Sequence, residues 1–215
     1  MLSTITEREA VEYLGRQLGN MFPDGRPTPL EDIVRRAFAR LKTCFDAVKL
    51  PMYRSNGETF FNHVHSDQYA TFLYFASNEA WRDGDLATAS KLYSLNKALN
   101  GMMCMYDTIL PDHFIVVHTV GMLLGKATYG DFFVAIHDVT IGTDRGLKPT
   151  LGRGVVLYGK ASILGNSVVG DDVSVSAGAT ILNENVPSAH IVVGTSPQLT
   201  IKPAKRRLIE EFFNL

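Results

Sequence analysis

The sequence predicts an α+β protein with an α-helical domain over residues 1–105, a parallel β-helix over 106–202 and a closing helix over 203–215. Two changes of period support this. Apolar residues recur every three or four positions up to about residue 105, and a six-residue period takes over after residue 150. Between the two β-rich tracts lies Thr143-Asp-Arg-Gly-Leu-Lys-Pro149, polar and glycine-containing, which reads as a loop thrown out of the repeat.

The helical elements follow in order. Thr6-Glu-Arg-Glu9 has the form of a capping box, and Ala10, Tyr13, Leu14 and Leu18 then share one helix face. Thr28-Pro-Leu-Glu31 repeats the signal, with Pro29 suited to the first helical position and Glu31 able to reach back to Thr28. Leu50 to Asn62, with Pro51 and Gly57, is expected as a loop. A third helix is expected from about Asp67 to Trp81. Gly84 separates it from a fourth that carries Leu86, Ala89, Leu92, Leu95 and Leu99.

In the second half an aliphatic residue opens six successive hexads, at Leu151, Leu157, Ile163, Val169, Val175 and Ile181. Their fifth places hold Val155, Ala161, Ser167, Val173, Ala179 and Asn185, which are mostly small. Three short strands per turn, each pointing one aliphatic side chain inward, produce this pattern. A β-sandwich would alternate with period two instead. The same texture appears at Leu124–Tyr129 and around Val134–Gly142, with one register slip. The last segment, Pro203 to Phe213, is expected to be a helix that caps the open end or packs on a neighbouring subunit.

With 21 basic and 22 acidic residues in 215, net charge −1, neither a nucleic acid nor an anionic membrane is expected as partner. The polar, acidic opening from Met1 to Leu14 differs from a signal peptide, and no apolar run approaches a membrane span. Cys44 and Cys104 lack metal-ligand or CxxC spacing, so they are expected as inert packing in a reducing cytoplasm. The spacing of His63, His65, His113 and His190 supports no zinc site.

Four landmarks in the second half carry a family resemblance: His118-Thr-Val-Gly-Met-Leu-Leu-Gly125, Val139-Thr-Ile-Gly142, Ala161-Ser-Ile-Leu-Gly-Asn166 and Val193-Gly-Thr-Ser-Pro197. In this order they resemble the hexapeptide-repeat acyltransferases, and among these the serine acetyltransferases. The resemblance implies a left-handed β-helix, acetyl-CoA as co-substrate, no metal, and a homotrimer or dimer of trimers with sites between subunits. It also implies that His118 is the general base for an acceptor hydroxyl. The chemistry agrees, since an alcohol is a poor nucleophile at neutral pH and an imidazole can take its proton in the transition state.

A carboxylate behind the imidazole is expected upstream, at Asp107 or Asp112, with Asp107 favoured. His137, one coil beyond His118, is either an acceptor-binding residue, with Asp138, Arg145 and Lys148 nearby, or a solvated edge histidine. The pantetheine arm of acetyl-CoA is expected near Gly159, Ala177 and Gly178, and its phosphates near Lys202, Lys205 and Arg206. Two departures from the serine enzymes stand out: Val117 precedes the histidine where many of them have aspartate, and the loop lacks their arginine–histidine pair. A sugar or nucleotide-sugar hydroxyl is therefore as credible an acceptor as serine. A non-catalytic scaffold is the alternative, and a carbonic-anhydrase-like metalloenzyme a remoter one.

Overall fold

The computed structural model describes all 215 residues. Four helices are followed by a parallel β-solenoid: α1 (Glu7–Met21), α2 (Glu31–Asp46), α3 (Ser66–Arg82) and α4 (Leu86–Asn100). The expected capping box at Thr6 and Glu9 is formed at the start of α1. The second expected cap is not formed: α2 begins at Glu31 with Leu30 in the cap place and no side-chain cap bond. Helix α3 lies at the centre of the helical region, buried around its whole circumference from Asp67 to Ala80. Of its two buried carboxylates, Asp67 and Glu79, the latter is neutralised by Arg36 at 2.8 Å and Arg40 at 2.9 Å, both from α2.

The expected loop at 50–62 is structured. A 3-10 turn (Pro51–Tyr53) leads into an antiparallel pair, Arg54–Ser55 with Glu58–Phe61, whose second strand also takes on Leu2–Ser3 in parallel. The reversal falls on Asn56-Gly57, both left-handed, which is the preferred dipeptide for a two-residue hairpin.

From Met102 onward the chain winds through three parallel ladders. One runs Met102–Met103, Met122–Leu124, Thr140–Gly142, Ser162–Leu164, Thr180–Leu182. The second runs Phe114–Val117, Phe133–Ile136, Val156–Leu157, Ser174–Val175, His190–Thr195, and the third Thr128–Tyr129, Thr150–Leu151, Val168–Val169, Asn185–Val186. All six hexad-opening aliphatics are buried, each by at least 99%. Burying an aliphatic side chain of this size contributes roughly 1.5–3 kcal/mol. The fifth-place residues are buried too, except Asn185. Val168 pairs with Asn185 and Val169 with Val186, so the last coil is one residue short and Val186 takes the inward place.

The corners explain the polar half of the repeat. His118, Asp138, Lys160, Asp172 and Asn183 all have φ between 53° and 65°, a left-handed conformation that Asn and Asp tolerate better than most residues. The loop at 143–149 is a tight reversal in which Asp144 and Leu147 exchange backbone hydrogen bonds of 3.1 and 2.9 Å. Asn183 donates to the Asp144 carboxylate at 3.2 Å, fixing the reversal to a lower corner of the stack.

The C-terminal segment departs most from expectation. Instead of a helix from Pro203, strand Gln198–Pro203 turns back along His190–Thr195, and only one 3-10 turn (Leu208–Glu211) follows. The chain then runs back along the stack as a strap. Ala204 donates to the Ala189 carbonyl at 2.8 Å, and Arg207 grips Asp172 with two bonds of 3.0 Å. Phe213 packs edge-on against Phe132 at 5.3 Å and bridges to Val48, so the last coil is tied to the helical region. The strap therefore packs along its own chain.

Both thiols are inert packing. Cys44 is fully buried and donates to the Phe114 carbonyl, and burial pushes its thiol up to about 12. Burial pushes Cys104 up as well.

Candidate active site at the first corner of the solenoid

The first strand of the second ladder, Phe114–Val117, ends at His118, which turns the chain in the left-handed conformation with φ 53°. A β-branched or bulky residue held there stores strain, and something must over-determine it. Here that is Asp67, in the first turn of α3 and only 6% exposed, whose carboxylate accepts the His118 backbone N–H at 3.0 Å and that of Thr119 at 3.4 Å. The Thr119 hydroxyl donates to the Asn100 carbonyl at 2.7 Å, at the end of α4. Asn100 in turn donates to Asn96, and Asn96 to the Ala70 carbonyl, both at 2.9 Å. The corner is thus clamped by two helices.

The imidazole of His118 is exposed and makes no hydrogen bond within the chain, leaving both nitrogens for a ligand. It opens on a cleft of about 490 Å³ between the helical region and the first coil. Leu50, Met52, Tyr53, Val64, Val117 and Phe212 supply the apolar walls, and His65, Ser66, Asp67 and His118 the polar ones. Phe212 arrives from the strap, held by the bond from Lys49 N–H to its carbonyl at 3.0 Å. His65 lines this cleft, and its Nδ1 is buried without a partner.

Asp107 lies elsewhere. Lys126 Nζ sits 2.6 Å from its Oδ1 and donates to its carbonyl at 2.6 Å, and no hydrogen bond joins it to His118. Asp112 is exposed beside Arg40 and Phe75. Sequence reasoning passed over Asp67, His65 and Phe212. The only local signal was the His63-x-His65-x-Asp67 cluster at a helix start, and its meaning depends on a contact fifty residues away.

Ladder pairing puts Val117 beside Ile136, so His137 follows His118 at the same corner, one coil down. Its ring lies flat over Gly159, where an added Cβ would come within 2.4 Å of the ring, and Nδ1 is 3.2 Å from the Asp138 carboxylate. Gly159 is thus required by the ring above it. Ala177 and Gly178 continue the column on the next coil and are exposed, with open space beside Gly178. Arg145 and Lys148 belong to the reversal at the Asn183 corner and do not line the cleft. Lys202, Lys205 and Arg206 do come together, along a groove of about 300 Å³ with Ile191, Val193 and Leu208.

A triangular stack of parallel coils with an aliphatic residue at each inward place defines a hexapeptide-repeat solenoid, here with an exposed imidazole at a cleft on its first corner. In sequence and in fold the chain resembles the serine acetyltransferases. Serine acetyltransferase of Helicobacter pylori is 36% identical over 90 residues, 40% of this chain and 52% of that protein. Serine acetyltransferase from Brucella abortus, solved in complex with coenzyme A, superposes with a TM-score of 0.65 at 17% identity, covering 94% of this chain and 84% of that one. The Neisseria gonorrhoeae enzyme, solved in complex with serine, gives 0.62 at 23% identity, with 91% and 75% covered. No family model matches. The chain spans about half the length of the curated relatives it matches first.

Proposed function

We propose that this protein is an acetyl-CoA-dependent O-acetyltransferase acting on a small hydroxyl acceptor, with His118 as general base. The observation that carries the reading is the exposed, unpartnered imidazole of His118, its backbone clamped by Asp67 at the edge of a ligand-sized cleft. The imidazole takes the hydroxyl proton as the oxygen attacks the thioester carbonyl. The tetrahedral intermediate then collapses, the carbon–sulfur bond breaks, and the imidazolium returns the proton to the departing thiolate of CoA. Both cysteines are buried, so no thiol of this chain is placed to carry the acetyl group.

Acetyl-CoA is supported as co-substrate by the Brucella abortus enzyme's complex with coenzyme A. Its phosphates are assigned to Lys202, Lys205 and Arg206, which share one groove, and its pantetheine arm to the column of Ala177 and Gly178, with Gly159 at its head. His137 and Asp138 are assigned to the acceptor side, with Arg145 and Lys148 reaching it from an adjacent subunit. Three parallel copies, or a dimer of such trimers, would cover the exposed flanks of a short solenoid. A reducing cytoplasm suits its free thiols, and no helix is long and apolar enough to cross a membrane.

The test is release of free CoA from acetyl-CoA in the presence of hydroxyl acceptors. Acceptor-dependent thiol release supports the reading, and its absence across amino-acid, sugar and simple alcohols sinks it. A monomer in light scattering would remove the shared site.

A further inference from the structure

His65 stands at the head of α3, on the wall of the cleft into which the His118 imidazole opens. Its backbone is fixed on both sides: the N–H donates to the Asn62 carbonyl at 3.0 Å, and the carbonyl accepts the Tyr69 N–H at 2.9 Å. Two residues on, Asp67 holds the backbone of His118, so one clamp sets both imidazoles at the same cleft. The His65 ring packs towards Tyr53, with centroids 6.4 Å apart, and its Nδ1 is closed off from solvent without a hydrogen-bond partner. An atom enclosed by its own chain is out of reach of an adjacent subunit, so assembly leaves this nitrogen as it is. A hydrogen on Nδ1 would bury an N–H with no acceptor, and orphaned buried N–H groups are rare. The tautomer of a histidine follows what each nitrogen can bond to. Nε2 is neither enclosed nor bonded within the chain, and it therefore carries the hydrogen and offers it on the cleft side.

We infer that His65 binds the acceptor, donating from Nε2 to a second oxygen of the compound whose hydroxyl meets His118. The inference rests on the O-acetyltransferase reading and adds a specificity residue to it. As general base, His118 presents a bare nitrogen to the hydroxyl, whereas His65 presents an N–H, so the two imidazoles divide the accepting and donating roles. A carboxylate oxygen of an amino acid and a neighbouring hydroxyl of a sugar both supply the second oxygen, whatever charges an adjacent subunit contributes. A monoalcohol supplies none. A site built around a hydrogen bond rejects compounds that lack the partner more strongly than an apolar wall does.

The ring itself is read by proton–nitrogen NMR of the native protein carrying isotope-labelled histidine, in mildly alkaline solution and assigned by the signals lost in His65→Gln. His65 should show the Nε2–H tautomer, and a hydrogen on Nδ1 overturns the inference. Thiol release from acetyl-CoA is then measured with serine, a methyl pyranoside and n-butanol, beside calorimetric titration of CoA. The better of serine and the pyranoside should exceed butanol in kcat/KM by at least about tenfold, and comparing the two tells which kind of oxygen is used. His65→Phe keeps a ring in place but removes the donor. It should raise KM for that acceptor roughly tenfold with kcat little changed, while KM for acetyl-CoA and the melting temperature are preserved. His65→Gln, which keeps an N–H at similar reach, should recover part of the loss. An acceptor KM unchanged in His65→Phe, a KM for acetyl-CoA raised alongside it, or butanol turning over as well as the other two overturns the inference and leaves the O-acetyltransferase reading standing. CoA binding without turnover of serine or the pyranoside overturns it as well. No CoA binding and no turnover of any acceptor overturns both.

Discussion

His118 and His137 hold the same place on consecutive coils, since Val117 pairs with Ile136 immediately before them, yet their surroundings give them different chemistry. Beneath His137 lies another coil, whose Gly159 accepts the flat of the ring, and Asp138 sits 3.2 Å from its Nδ1. Next to His118 lies the helical region instead, with Asp67 holding its backbone and a cleft in front of its ring. A solenoid makes its corners alike by repetition, so one corner becomes distinct only where the repetition meets something foreign. Here the foreign elements are α3, α4 and the returning strap.

The largest expected effect breaks or upholds this contrast directly. His118→Ala should lower turnover by roughly 10² to 10⁴ while circular dichroism and CoA affinity stay unchanged, because proton removal is felt only in the transition state. His137→Ala should act mainly on the acceptor KM. If His137→Ala caused the greater loss in kcat, the assignment of roles to the two corners would be reversed.

Next comes the clamp. In Asp67→Asn one carboxylate oxygen is replaced by an amide NH₂, which cannot accept the N–H it faces, so a buried donor loses its partner at a cost of about 1–3 kcal/mol. Asp67 acts through the position of His118, so kcat should fall roughly tenfold to a hundredfold with CoA binding retained. Lowered stability with full kcat would make Asp67 a purely structural residue. Asp107→Asn breaks only the contact to Lys126, and thermal melting should record a smaller loss than for Asp67→Asn.

The lower corner is probed by Gly159→Ala. The added Cβ would lie 2.4 Å from the His137 ring, and forcing the ring aside should destabilise by about 1–3 kcal/mol, read by denaturant unfolding. His137→Ala in the same chain should recover most of that loss, as expected for residues in direct contact. Failure of the second change to rescue the first would mean that the ring does not rest on Gly159.

Much of this was legible from the sequence. The six hexad-opening aliphatics are all inward, because an inward place every sixth residue is a local property of the coil. The capping box at Thr6 is equally local. Legibility failed where a distant partner decides. Pro203 to Phe213 has a helix-compatible composition, but edge pairing with His190–Thr195 and the Arg207–Asp172 grip hold the start of it extended. Asn185 was misplaced because the last coil lost a residue, which a strict period does not anticipate. His118 was found from its glycine pattern, whereas Asp67, which holds it, is visible only once α3 is packed against the first coil.

The smallest expected effect asks whether the first corner responds to any loss in the helical region or only to loss of its own clamp. Asp85 caps α4, accepting the Thr88 N–H at 3.0 Å, and lies at the opposite end of that helix from Asn100, which holds Thr119. Asp85→Ala should cost about 1 kcal/mol of stability, the usual loss for an N-cap. Burial of Asp85 disfavours its charge, but its bonds with Thr88 and Ala87 outweigh this, so its carboxyl titrates below the ordinary range. A depressed carboxylate contributes stability above the unfolded pKa of about 3.9. That contribution is lost as pH falls through the folded value, so the native and Asp85→Ala proteins should converge in acid. At neutral pH kcat should be unchanged in Asp85→Ala, in contrast to Asp67→Asn. A matching fall in kcat would mean that the His118 corner depends on the whole helix rather than on the carboxylate that touches it.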